Sequence, residues 1–89
     1  MKATFLQVTY RNGRPVAGYL SLPRRQGDRS TRSRRAEAGL VIDFAPGGRA
    51  IGVEITAPGK VTVAAVNRVL KELGFSPVKR KDLAPVLAA

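Results

Sequence analysis

Gly39 to Thr56, GLVIDFAPGGRAIGVEIT, is the stretch whose reading decides the fold. Two apolar runs flank a turn at Pro46-Gly47-Gly48-Arg49, and folding there sets Phe44 opposite Ile51, Ile42 opposite Val53 and Leu40 opposite Ile55. Three apolar cross-strand pairs land on one face from a single register, and a slip of one residue would send all of them to the other face. Val41, Asp43, Gly52 and Glu54 then share the opposite face. This hairpin is expected to be the nucleus of the core.

On the N-terminal side, Ala3 to Tyr10 is rich in β-branched and aromatic residues and runs into Asn12-Gly13, the strongest short hairpin signal. A two-residue turn pairs Tyr10 with Pro15, Val8 with Ala17 and Leu6 with Tyr19. The 10/15 pair is then non-hydrogen-bonded, so the missing N–H of Pro15 costs little. Leu6, Val8, Tyr10, Ala17 and Tyr19 share one face, with Phe5, Val16 and Leu20 on the other. Both faces carry apolar groups, which leaves open which one meets the core. Pro23 to Glu37 contains six arginines and no large apolar residue. It is either a solvated loop or, over Ser30 to Arg35, a polar edge strand with Arg32 and Arg34 on one face.

On the C-terminal side, Thr56-Ala57-Pro58-Gly59 breaks the sheet. Thr62 is a good N-cap and Gly74 a good C′ residue for a helix over 62–74. Val63, Val66, Leu70 and Leu73, with Val69 beside them, form its apolar stripe. Lys79-Arg80-Lys81 reads as a basic linker, and Asp82 as the N-cap of a short helix over 82–88. The order predicts a single α+β domain, 1–89. Its small antiparallel β-sheet of two hairpins (1–22 and 39–56), four or five strands with the 23–37 connection, is covered by one C-terminal helix plus a short terminal helix.

Composition narrows the chemistry. The 89 residues include no histidine and no cysteine, which excludes a Ser-His-Asp triad and a cysteine nucleophile and argues against a zinc site. A non-enzymatic protein without cofactor or metal is expected. The absence of cysteine fits a cytoplasmic location. No apolar run approaches the ~20 residues of a membrane span, and the N-terminus lacks a signal peptide's apolar region, so no membrane partner is expected. Asp43 and Glu54 stand diagonally across the second hairpin, about 7–8 Å apart. They are either a carboxylate pair for hydrolytic or cation chemistry, or structural charges matched by Arg32 or Arg34. Without a histidine or cysteine beside them the structural reading is preferred.

Sixteen Lys and Arg against six Asp and Glu give a net charge of +10 and a pI near 11.4. Such a balance favours polyanions, nucleic acid first. Residues 1–35 hold nine of the cations and one acid, Asp28. The candidate nucleic-acid contacts are therefore Arg24, Arg25, Arg29, Arg32, Arg34 and Arg35, with Tyr10 or Tyr19 available for base stacking. Two plainer readings stand beside this one: a solvated edge that blocks strand-to-strand aggregation, and a surface for an acidic protein. A chain this small, with apolar surface left over, is expected to self-associate, most simply as a dimer.

The pattern GLVIDF-x4-RAIGVEIT, with Gly39, Asp43, Phe44, Gly48, Gly52, Glu54 and Ile55 in motif positions, resembles the YuzE-like family of small bacterial proteins. Ala17-Gly18-Tyr19-Leu20 sits where that family has an early strand, so the resemblance covers roughly residues 15–57. VTVAAVNRVLKELGFSP (61–77) is similar to the helical extension of one subgroup. The resemblance implies a small α+β domain, a homodimer and no established activity, with an antitoxin-like role by analogy only. Family members commonly carry acidic residues in the connecting segment and hairpin turn. Here the segment is arginine-rich and the turn is APGG, which argues against an acid-mediated grip on a basic ribonuclease. The expected function is a binding or regulatory module with an arginine-rich face for a polyanion; the alternative is a purely structural, self-associating protein.

Overall fold

A computed structural model describes residues 4–87. Five strands, β1 (Phe5–Arg11), β2 (Arg14–Ser21), β3 (Arg32–Glu37), β4 (Leu40–Phe44) and β5 (Ala50–Ile55), are followed by helices α1 (Val63–Glu72) and α2 (Arg80–Leu87). The strands make one antiparallel sheet in the order β1-β2-β5-β4-β3, which is the α+β class expected. Expected positions 1–3 of the first hairpin and 88 of the terminal helix lie outside the described residues. The 23–37 connection divides: its second part is the edge strand β3, reaching two residues beyond Arg35.

Leu40 faces Ile55 and Ile42 faces Val53, as the turn predicts, but Phe44 faces Ala50 instead of Ile51. A bulge between Asp43 and Phe44 inserts the extra residue, and Ile51 is buried apart from the main cluster. The first hairpin is corrected in the same way. Tyr10 pairs with Pro15 as expected; then the register shifts at Thr9/Tyr10, so Val8 faces Gly18 and Leu6 faces Leu20. That one-residue shift puts Leu20 on the face of Leu6 and Val8, which is the core face, and turns Tyr19 to the opposite one.

Leu20, Leu40, Ile42, Phe44, Val53 and Ile55 from the sheet, with Leu22 just after β2, pack against Val66, Val69 and Leu70 of α1 and Leu83 and Val86 of α2. Both helices therefore cover the same face. Gly18 lets α2 approach, since a Cβ there would meet the Val86 side chain at 2.9 Å. Thr62 caps α1 by accepting the Ala65 N–H at 3.1 Å, and Gly74 follows the helix at φ +84°. Asn67 bonds both backbone polar groups of Val78, at 2.8 and 3.0 Å, which ties the inter-helix segment to α1. Asp82 is not the N-cap of α2. The helix starts two residues earlier, and the Asp82 carboxylate reaches back to accept the Lys79 N–H at 2.9 Å.

Candidate functional site

The six candidate arginines fall along the β3 edge and the 23–31 loop that feeds it, but the fold gives them different environments. Arg24 is half-buried and folds inward, where its guanidinium donates to the Ile51 carbonyl at 2.6 Å. Arg32 and Arg34 lie on the helix side of the sheet, opposite Phe44 and Ile42. Their guanidinium carbons sit 5.1 and 5.8 Å from the Phe44 ring centre, and Arg34 also pairs with Glu72 of α1 at 3.5 Å. Arg35 alternates to the open face. Arg25 and Arg29 are exposed in the loop, whose turn is closed by Asp28 accepting the Arg25 N–H at 3.0 Å. Among the described residues, Arg25, Arg29 and Arg35 have no carboxylate within ion-pair distance of their side chains.

Among the described residues no helix covers the opposite face of the sheet, where a polar chain crosses four strands. Tyr19 on β2 donates its hydroxyl to Asp43 Oδ2 on β4 at 3.0 Å, and Ser33 on β3 donates to Asp43 Oδ1 at 2.7 Å. The Tyr19 ring reaches Asp43 only by passing over Gly52 of β5, where a Cβ would collide with the tyrosine ring and hydroxyl. Arg32 and Arg34 cannot match Asp43, because they point through the other face; this overturns their expected pairing. Glu54 stands half-buried between Tyr19 and Val41 in the ladder, with no ion pair among the described residues. Burial, with the Asp43 charge beside it, pushes the Tyr19 hydroxyl above the ordinary tyrosine range, although neighbouring Arg24 opposes the shift.

The remaining charges are knitted to arginines the candidate set omitted. Arg49, in the second hairpin's turn, hydrogen-bonds Asp28 and holds its carboxyl below the usual range. Arg68 of α1 forks onto both oxygens of Glu37 at 2.9 and 3.1 Å, lowering the glutamate and raising its own pKa. Neither pair is legible from spacing, since the partners lie 21 and 31 residues apart. No group of three or more His, Cys, Asp or Glu among the described residues is arranged to hold a metal ion. Among the described residues no helix is long and apolar enough to cross a membrane. Compared with protein-family models, curated proteins and solved structures, the chain matches none.

Proposed function

We propose that this chain is a non-enzymatic binding module that holds a polyanion, nucleic acid, along its β3 edge. The observation that carries the reading is the exposure of Arg25, Arg29 and Arg35, whose guanidiniums have no carboxylate within ion-pair distance among the described residues, while Asp28, Glu37 and Glu72 are engaged by other arginines. Unpaired guanidiniums on a chain of net charge +10 gain most from phosphates, whose condensed counterions they release. The YuzE-like signature supports a module without catalysis: Asp43 and Gly52 build the sheet face, and Asp43 spends both oxygens on hydrogen bonds. A purely structural reading has one observation in its favour, that β3 is an outermost strand whose charges discourage further pairing.

The two separate in solution. Fluorescence anisotropy of a labelled single-stranded oligonucleotide, titrated across a salt series, should show affinity falling steeply with salt. Each phosphate contact contributes about 0.7 to the log–log slope, so R25A/R29A/R35A should shallow it by about 2. An oligonucleotide that stays free at low salt would leave the structural reading standing.

A further inference from the structure

The sheet has two outer edges, and the sequence treats them oppositely. On β3, four of six residues are charged. On β1, FLQVTYR, only Arg11 is charged, and no proline interrupts the strand. Among the described residues the exposed large apolar ones, Phe5, Tyr10 and Val16, all belong to this first hairpin. Because Tyr10 stands opposite Pro15 at a position without ladder bonds, the antiparallel alternation turns the N–H and C=O groups of Leu6, Val8 and Tyr10 away from β2. No backbone hydrogen bond from elsewhere in the described residues reaches them.

We infer that β1 is the edge at which two copies of this chain join, antiparallel and two-fold about Val8, so that the two sheets run together as one. This is independent of the polyanion reading. In that register the whole strand 5–11 pairs with itself: Val8 faces the partner's Val8, Leu6 the partner's Tyr10, Gln7 the partner's Thr9, and Phe5 the partner's Arg11. The three outward-facing residues then bond one another across the axis, and no like charges meet. On the helix side beside Leu6 lies a hollow of about 490 Å³ lined by Thr4, Leu6, Leu20, Phe75, Pro77 and Val78. The partner's Tyr10, exposed in the single chain, is delivered to its mouth. A C2 axis requires such self-complementarity, which the arginines of β3 would oppose.

The test is the mass in solution together with a charge swap at exposed positions. Sedimentation equilibrium should give twice the 9.5 kDa of one chain. Q7K/T9K sets lysine against lysine twice across the axis and should yield monomer; Q7K/T9E sets lysine against glutamate and should restore the dimer. Higher salt should tighten the wild-type dimer by screening two strongly cationic chains, the reverse of its effect on oligonucleotide binding. Amide exchange at Leu6, Val8 and Tyr10 should be slow in the wild type and fast in Q7K/T9K. A wild-type monomer, a dimer that survives Q7K/T9K, or unprotected amides at those three residues would each overturn the inference. Should Q7K/T9K not fold, the wild-type exchange pattern decides.

Discussion

Replacing Gly52 by alanine tests the crossing of Tyr19 over β5. The added methyl occupies the space of the Tyr19 ring and hydroxyl, so the ring must leave and its hydrogen bond to Asp43 is lost. A hydrogen bond to a charged acceptor is worth about 1.5–3 kcal/mol, and the half-exposed setting places this one near the lower figure. Against that, alanine in place of glycine stabilises a strand by about 0.5–1 kcal/mol. Displacing a half-buried aromatic ring adds to the loss, so the net expectation is a destabilisation of about 1–2 kcal/mol. For a domain of this size that lowers Tm by roughly 5–15 °C. The decisive comparison is the same change in a Tyr19→Ala background. With the ring gone, G52A should become neutral or stabilising by about 0.5 kcal/mol, a reversal of sign. Urea unfolding of the four proteins, with m held constant, measures it. If G52A is as costly in Y19A as in the wild type, the glycine is there for some reason other than the tyrosine.

Thr62→Ala removes the α1 cap and should cost about 1 kcal/mol, read as a shift in urea midpoint, while Thr62→Asn should cost little. Asn67→Leu leaves the Val78 N–H and C=O without their partner; a loss of about 1–3 kcal/mol is expected, with faster amide exchange at Val78. Asp28 and Glu37 have folded-state carboxyls held below their ordinary values by Arg49 and Arg68. Their contribution is therefore complete above about pH 4.5 and disappears as pH falls through the depressed folded values, so E37Q should flatten the acid limb of a Tm-versus-pH curve. Tyr19 runs the other way: its raised pKa makes stability fall once the pH climbs above about 10, and Y19F should remove that alkaline loss.

The elements were legible where local chemistry dictated them. Asn12-Gly13, Thr62 and Gly74 each satisfy a backbone requirement within a few residues, and the pairs Leu40/Ile55 and Ile42/Val53 follow from period-two burial. The three bulges, at Thr9/Tyr10, Arg35/Glu37 and Asp43/Phe44, were not legible, because an extra residue in one strand leaves no mark on composition. Their consequence is large, since the bulge at Thr9/Tyr10 sets Leu20, and not Tyr19, beside Leu6 and Val8 on the core face. The candidate arginines could be read as a cluster but not sorted. Whether a given arginine stacks on Phe44, folds onto the Ile51 carbonyl or stands free depends on which face its strand presents and on acids far away in the chain.

That sorting bears on what the charge is for. A guard against edge pairing needs charge on the strand, and Arg32, Arg34 and Arg35 supply it. Arg25 and Arg29 precede the strand and guard no ladder, so edge protection does not account for them. A phosphate chain lying along the edge would meet both sets. Removing the loop pair alone, R25A/R29A, should therefore shallow the salt slope of oligonucleotide binding by about 1.4 while leaving solubility and oligomer mass unchanged. If the slope stays the same and only R35A weakens binding, the contact is confined to the strand and the loop arginines have no part in it.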